Sequence, residues 1–244
     1  MSCDIAFSAK RLNADAQIGS IFVCILEVLM NDKGSSKTSA NVISATMFFA
    51  VGYAVVRYHI AGDVPWKDFS FFILNKGLCL GAFVLLTFNF ALGPAKNLGL
   101  PVPSSWLNAR KAFGMSGFLL ILIHALISFM LFSSAYYGKF YMPDGTLTGV
   151  ASLSMLAGVL GFVFLWAYNL SFQSNLREDK AFIAFITSRK FLVWALSLGG
   201  MHLAFMGYSG WLSPGDWLGG LPPVSLIAFS FFAVGYALNI LGRE

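Results

Sequence analysis

Six stretches of about 20 predominantly apolar residues recur along the chain, near residues 41 to 61, 69 to 93, 112 to 135, 147 to 171, 190 to 211 and 221 to 241. A helix that rises 1.5 Å per residue needs roughly 20 such residues to cross the ~30 Å hydrocarbon core of a bilayer. The pattern therefore predicts a multi-pass membrane protein, and six runs leave little of the 244 residues for a soluble domain. Composition agrees. Only 11% of residues are charged and the mean hydropathy is +0.73, whereas about 25% of a soluble domain is charged. The expected fold is all-α, a polytopic six-transmembrane-helix bundle over residues 41 to 241, preceded by a cytoplasmic segment at residues 1 to 40.

The net charge of +5 has a topological explanation. With both termini cytoplasmic, Lys10, Arg11, Lys33, Lys37, Lys96, Arg110, Lys111, Arg177, Lys180, Arg189, Lys190 and Arg243 fall inside, Arg57, Lys67 and Lys139 fall outside, and Lys76 lies within a span. This asymmetry satisfies the positive-inside rule, and nothing in the sequence points to a nucleic-acid partner. A bacterial inner membrane is the expected location.

Ahead of the spans, Ile18, Ile21, Phe22, Ile25 and Leu29 fall on one helical face, with Gln17, Ser20, Glu27 and Asn31 on the other. Asp4, Asp15 and Glu27 argue against a signal peptide, so residues 17 to 31 are expected to form a short interfacial helix. A linker at residues 31 to 37 leads into the first span. Pro65, Pro94, Pro101, Pro103, Pro214, Pro222 and Pro223 mark loops or span ends, where a missing N–H costs least. Cys3, Cys24 and Cys79 lack the spacing of a disulfide framework or a zinc site and read as small apolar residues.

Two histidines stand out against this background. His124 lies thirteen positions after Lys111 and His202 twelve after Lys190, counting from the basic pairs Arg110-Lys111 and Arg189-Lys190. At helical rise both rings sit roughly 18 to 20 Å above the same membrane face. An ionisable group at such depth is costly and usually functional, and two imidazoles at one level on neighbouring helices can hold a haem iron from opposite sides. Gly199 and Gly200 remove side chains where a flat porphyrin would need room against a helix, and small residues also let helices approach. His59, at the outer end of the first span, reads as a surface residue, with a metal or haem-propionate role as the alternative. Phe113, Phe118, Phe191 and Trp194 lie between the cytoplasmic side and the histidine level, as core packing or as aids to an electron path. Trp106, Arg110, Lys111, Arg189 and Lys190 form a basic, aromatic mouth, which positive-inside topology explains and which flavin phosphate binding would also use.

The third span reads RKAFGMSGFLLILIH (110 to 124), and the fifth reads RKFLVWALSLGGMH (189 to 202) followed by LAFMGYSGW. These segments resemble the transmembrane domain of STEAP metalloreductases, within the wider ferric-reductase-like membrane superfamily. The likeness includes Gly114 after the first basic pair, then Gly207 and Trp211 after His202. It extends to Asn75-Lys76 and to Pro222-Pro223, and covers roughly residues 70 to 241. It implies that His124 and His202 are the axial ligands of one b-type haem. The chain departs from its models in showing neither the nucleotide-binding domain that STEAP enzymes carry before the membrane domain nor the dehydrogenase domain that NADPH oxidases carry after it. Each candidate ligand helix also has one histidine, where NADPH oxidases have two.

The expected function is that of a membrane cytochrome b, moving single electrons from a cytoplasmic donor to an outer-face acceptor such as a ferric or cupric ion. The donor would be a flavin, a partner flavin reductase or a quinol. The rivals are a haem-bearing subunit like MsrQ that reduces a partner protein, a haem-free structural subunit of a larger membrane complex, and a transporter, for which paired intramembrane carboxylates are missing. A homo-oligomer is compatible with each. The charge asymmetry makes a direct prediction: in a background lacking Cys3, Cys24 and Cys79, a Lys139→Cys substitution should react with an impermeant thiol reagent from the outer face. Labelling from the cytoplasmic side alone would overturn the topology.

Overall fold

The structure, a computed structural model, describes residues 35–172 and 179–242. The interfacial helix expected at residues 17 to 31 and most of the segment 1 to 40, with Cys3, Cys24 and Arg177, lie outside the described residues. Six helices long and apolar enough to cross a membrane are present, over Lys37–Ile60, Trp66–Asn97, Ser104–Leu131, Gly149–Leu170, Arg189–Trp211 and Leu218–Leu241. The chain is an integral multi-pass membrane protein with an all-α fold, and no strand occurs among the described residues.

Helix α1 (Ser35–Val55) continues through a π-helical turn at Val56–Ile60, and a second π turn at Phe69–Ile73 leads into α2 (Leu74–Asn97). Helix α3 (Ser104–Leu131) follows, then a short α4 (Ser134–Tyr137), α5 (Gly149–Leu170), a short α6 (Lys180–Ile186), α7 (Arg189–Trp211) and α8 (Val224–Leu241). Local chemistry sets several of these starts. Thr148 caps α5 by accepting from Ala151 N, and Ser188 caps α7 by accepting from Phe191 N, each satisfying a backbone donor that the first helical turn leaves open. The third span differs from expectation: it begins at Ser104, so Arg110-Lys111 lie inside the helix, whereas Arg189-Lys190 are the first two residues of α7. Pro103 at the N-cap starts α3 early, since a proline there costs no hydrogen bond.

Helix α2 is the axis of the bundle. It packs against α1, α3 and α8, and 61% of its most apolar window is buried, against 22 to 28% for the other five spans. Small residues permit this: a Cβ at Gly77 would stand 2.9 Å from Val51 Cα on α1, and one at Gly117 of α3 would stand 2.8 Å from Leu86 Cγ. Without a hydrophobic driving force between helices in lipid, such close backbone approach is what makes packing favourable. Helix α7 packs against α5 and α8, while α5 touches α3 only lightly and α7 is not a packing partner of α3. The space between α3 and α7 is therefore left open inside the bundle.

Pro94 falls inside the last turn of α2 rather than in a loop. Lacking an N–H, it leaves the carbonyl of Phe90, four residues earlier, without its helical donor. Asn239 of α8 supplies one: its side-chain amide donates to Phe90 O at 3.2 Å and to Gly235 O at 2.8 Å. The far end of α1 is tied down in a similar way, Tyr53 donating to Pro222 O at 2.6 Å and the buried Arg57 to Leu221 O. The first pairing predicts a specific coupling. Asn239→Leu should lower stability in detergent by about 1 kcal/mol or more, and adding Pro94→Ala, which restores the backbone donor, should recover much of the loss in a double-mutant cycle of thermal unfolding.

Candidate functional site

His124 projects from α3 seven residues before its end, and His202 from α7 nine residues before its end. Both line one cavity, in the gap that α3 and α7 leave between them. Its wall is apolar along most of its length, with Phe83, Phe90, Phe162 and Phe232 among the lining residues. On α7 the lining runs from Ala195 to Met206, a reach of about 16 Å at helical rise.

Each imidazole is held by one nitrogen. His124 Nδ1 lies 2.8 Å from Asn75 Oδ1 and 3.3 Å from Asn75 O, and Asn75 Nδ2 donates to Ser128 Oγ at 3.0 Å. His202 Nδ1 lies 2.9 Å from Ser154 O, while Ser154 Oγ donates to His202 O at 3.2 Å. A carbonyl oxygen can only accept, so Nδ1 of His202 carries the proton, and the Asn75 amide, donating to Ser128, presents its oxygen to His124 in the same sense. These bonds select the tautomer in which Nε2 keeps a free lone pair. Neither Nε2 has a hydrogen-bond partner among the described residues.

Asn75 and Ser154 are almost wholly buried, at 0% and 1% exposure, so the rings are anchored to the most rigid part of the wall. Gly158 of α5 makes the room for His202: a Cβ there would stand 2.7 Å from its Nδ1. The two glycines before His202 divide their roles. Gly199 lines the cavity, as expected, but a Cβ at Gly200 would collide with the Phe232 ring of α8, so Gly200 serves helix packing instead of opening space beside the histidines.

One cation shares the cavity. Lys76, one residue beyond Asn75, lines it together with both histidines. Its Nζ sits 4.9 Å from the ring centroid of Tyr137 and 5.2 Å from that of Phe72, and it has no carboxylate partner among the described residues. Contact with an aromatic face contributes roughly 0.5 to 2 kcal/mol, and a side-chain hydrogen bond with Tyr137 adds to it. The segment between α3 and α5 closes the cavity at this end. Phe132, Tyr137 and Phe140 line it, Tyr137 and Phe140 stack at 5.9 Å, and Lys139 Nζ donates to Met206 O of α7 at 3.1 Å. Burial, and then the charge of Lys76, hold the Lys139 ammonium below its usual pKa. Asp144, the acid of this segment, is engaged locally by Thr146 N and Oγ1 at 2.9 and 2.7 Å, which holds its carboxyl below the usual range.

The remaining sequence candidates are spread out. Arg110 Nε donates to Asn89 O of α2 at 2.9 Å, and Arg189 donates to Ile240 O in the last turn of α8 at 2.9 Å; both guanidiniums thus neutralise backbone carbonyls at the basic end of the bundle. Lys111 and Lys190 are exposed there, Lys111 Nζ lying 5.8 Å from the Phe172 ring. His59 bonds Val64 O at 2.8 Å and packs on Trp66 at 4.1 Å, outside the cavity wall. None of Phe113, Phe118, Phe191 and Trp194 lines the cavity. The rings that do connect it to the basic end are Phe90, Tyr168 and Phe172, with centroids 5.3 and 5.4 Å apart in succession.

No model of a known protein family matches the chain, and no curated protein is significantly similar to it. The wall itself makes a prediction. Asn75→Leu removes the side-chain acceptor of His124 and the partner of Ser128, and should cost about 1 to 3 kcal/mol. Ser154→Ala leaves the main-chain acceptor of His202 in place and should cost less, within about 1 kcal/mol. Thermal unfolding of the two variants in the same detergent checks the order.

Proposed function

We propose that the chain is a membrane cytochrome b that carries single electrons across the bilayer, in which His124 and His202 would hold the iron of one b-type haem. The observation that carries this reading is the pair of imidazoles on α3 and α7, two helices that do not pack together, sharing one apolar cavity with Nδ1 of each ring tied to the wall and Nε2 free. The donor set fits a porphyrin better than a bare ion. Among the described residues no group of three or more His, Cys, Asp or Glu could hold a metal by itself, so the two imidazoles suit an iron whose other four ligands come with it. Held by both imidazoles, such a group would supply a one-electron couple suited to electron transfer rather than oxygen chemistry.

The protein's part is to position and to insulate. The bonds to Asn75 and Ser154 fix ring orientation and raise the basicity of each Nε2. Apolar walls keep water away, and the cap formed by Tyr137 and Phe140 covers the end nearer the histidines. Since His124 lies twenty residues from the start of α3 and seven from its end, the site is closer to the capped end, and the file of Phe90, Tyr168 and Phe172 spans part of the remaining distance to the basic end. By the positive-inside rule that basic end faces the cytoplasm of a bacterial inner membrane. A flavin, free or on a partner reductase, would meet Lys111 and Lys190 there, and a quinol could approach from the inner leaflet. The acceptor at the capped face is a ferric or cupric ion or a redox protein.

Purified full-length protein should bind about one haem b per chain and give a low-spin spectrum. His124→Ala and His202→Ala should each abolish that spectrum, and His59→Ala should leave it unchanged. Full haem content in both ligand variants would refute the assignment. Replacing Lys111 and Lys190 with Gln should slow haem reduction by reduced flavin several-fold without altering haem content, while equal rates together with rapid reduction by a quinol analogue would move the donor to the inner leaflet.

A further inference from the structure

A lysine inside a transmembrane helix needs a reason, because a charge at that depth is tolerated only where something compensates it. Lys76 lies three residues into α2, lines the same cavity as His124 and His202, and is engaged by the ring of Phe72 and by both the ring and the side-chain hydrogen bond of Tyr137. Lys139 approaches from the capping segment, anchored to Met206 O, four residues beyond His202 on α7. Lys76 contacts Tyr137, two residues before Lys139 in the capping segment, so both lysines belong to the capped end of the cavity. No carboxylate of the described residues pairs with either, and Asp144 is committed to Thr146. A lysine in the wall of an apolar cavity and a second on the segment that caps it, neither paired with a carboxylate among the described residues, suit an anion that arrives with the ligand.

We propose that Lys76 and Lys139 form a carboxylate-binding pair at the capped end of the cavity, fixing the orientation of its occupant with acidic groups toward the 132–148 segment and the apolar body deeper among Phe83, Phe90 and Phe162. This rests on the haem reading of the cavity. The carboxylates are either the propionates of the porphyrin itself or those of a small acidic acceptor that enters beside it. In both cases Lys76 is the principal anchor, since it lies in the wall, and Lys139 the secondary one, since it is not part of the wall and already donates to a carbonyl.

The test uses full-length protein made under haem depletion, titrated in detergent with ferric protoporphyrin IX and with its dimethyl ester, which differs only in lacking free carboxylates. Wild type should prefer the free acid by at least tenfold. Lys76→Met should abolish that preference, Lys139→Gln should reduce it, and Lys76→Arg should preserve it. The ratio of the two affinities is the readout, because a folding defect would weaken both ligands together. In a second arm, citrate is titrated into haem-loaded protein and followed by calorimetry: citrate binding that is lost in Lys76→Met, with an unchanged acid-to-ester ratio, assigns the pair to a free carboxylate. An unchanged ratio in Lys76→Met with no Lys76-dependent citrate binding overturns the proposal while leaving the haem site standing. Failure of wild type to take up either porphyrin overturns both.

Discussion

Inside an apolar slab no water completes a hydrogen bond, so every polar group there must be matched by the protein itself. This constraint organises the molecule from end to end. Pro94 removes a donor from α2, and Asn239 of α8 reaches across to the carbonyl it exposes. Arg57, buried near the end of the first span, donates through Nη1 to Leu221 O, which ties the first span to the loop before α8, while its buried Nε has no partner among the described residues. Each bond joins elements far apart in sequence, so the same pairings that satisfy the backbone also determine which helices are neighbours.

The histidines obey the same constraint in a way that leaves them chemically useful. A buried imidazole has two nitrogens, and a purely structural residue gains most by satisfying both. Here Asn75 and Ser154 satisfy one on each ring, the other has no partner among the described residues, and both rings line the cavity between α3 and α7. That cavity exists because α2 draws α1, α3 and α8 around itself through small residues such as Gly77 and Gly117 while α7 gathers with α5 and α8. The two groups meet along α8 and only lightly between α3 and α5, and the gap that results is where the two rings lie.

Charge follows a second pattern. At the basic end Arg110 and Arg189 have both a topological and a structural use, since each guanidinium sits on backbone carbonyls, the latter in the last turn of α8, where the helix dipole favours a cation. Lys111 and Lys190 remain exposed. At the capped end the pattern inverts: Lys76 is drawn into the wall, where Phe72 and Tyr137 engage it in place of a carboxylate. A charge that serves topology belongs at the membrane surface, and Lys76 does not lie there.

The six spans were legible in the sequence because length and apolarity are enough to specify a transmembrane helix, and their ends were found to within a few residues except at α3, where Pro103 and Ser104 start the helix ahead of the apolar run. The two histidines were legible too, as ionisable residues at depth. Their partners were not. Asn75 was visible only through the Asn75-Lys76 pair that opens an apolar helix, Ser154 and Gly158 carried no signal at all, and Gly200, which left room for a ligand or for a neighbouring helix, accommodates Phe232 of that helix. Nor could the sequence choose among the rings on the way to the basic end: it offered Phe113, Phe118, Phe191 and Trp194, whereas Phe90, Tyr168 and Phe172 form the connected file. The physical reason is common to these cases. Hydropathy and depth are properties of one helix at a time and can be read along a single strand of text, but which face of a helix meets which neighbour depends on crossings set by small residues and long-range hydrogen bonds, and those are decided only when the whole bundle is packed.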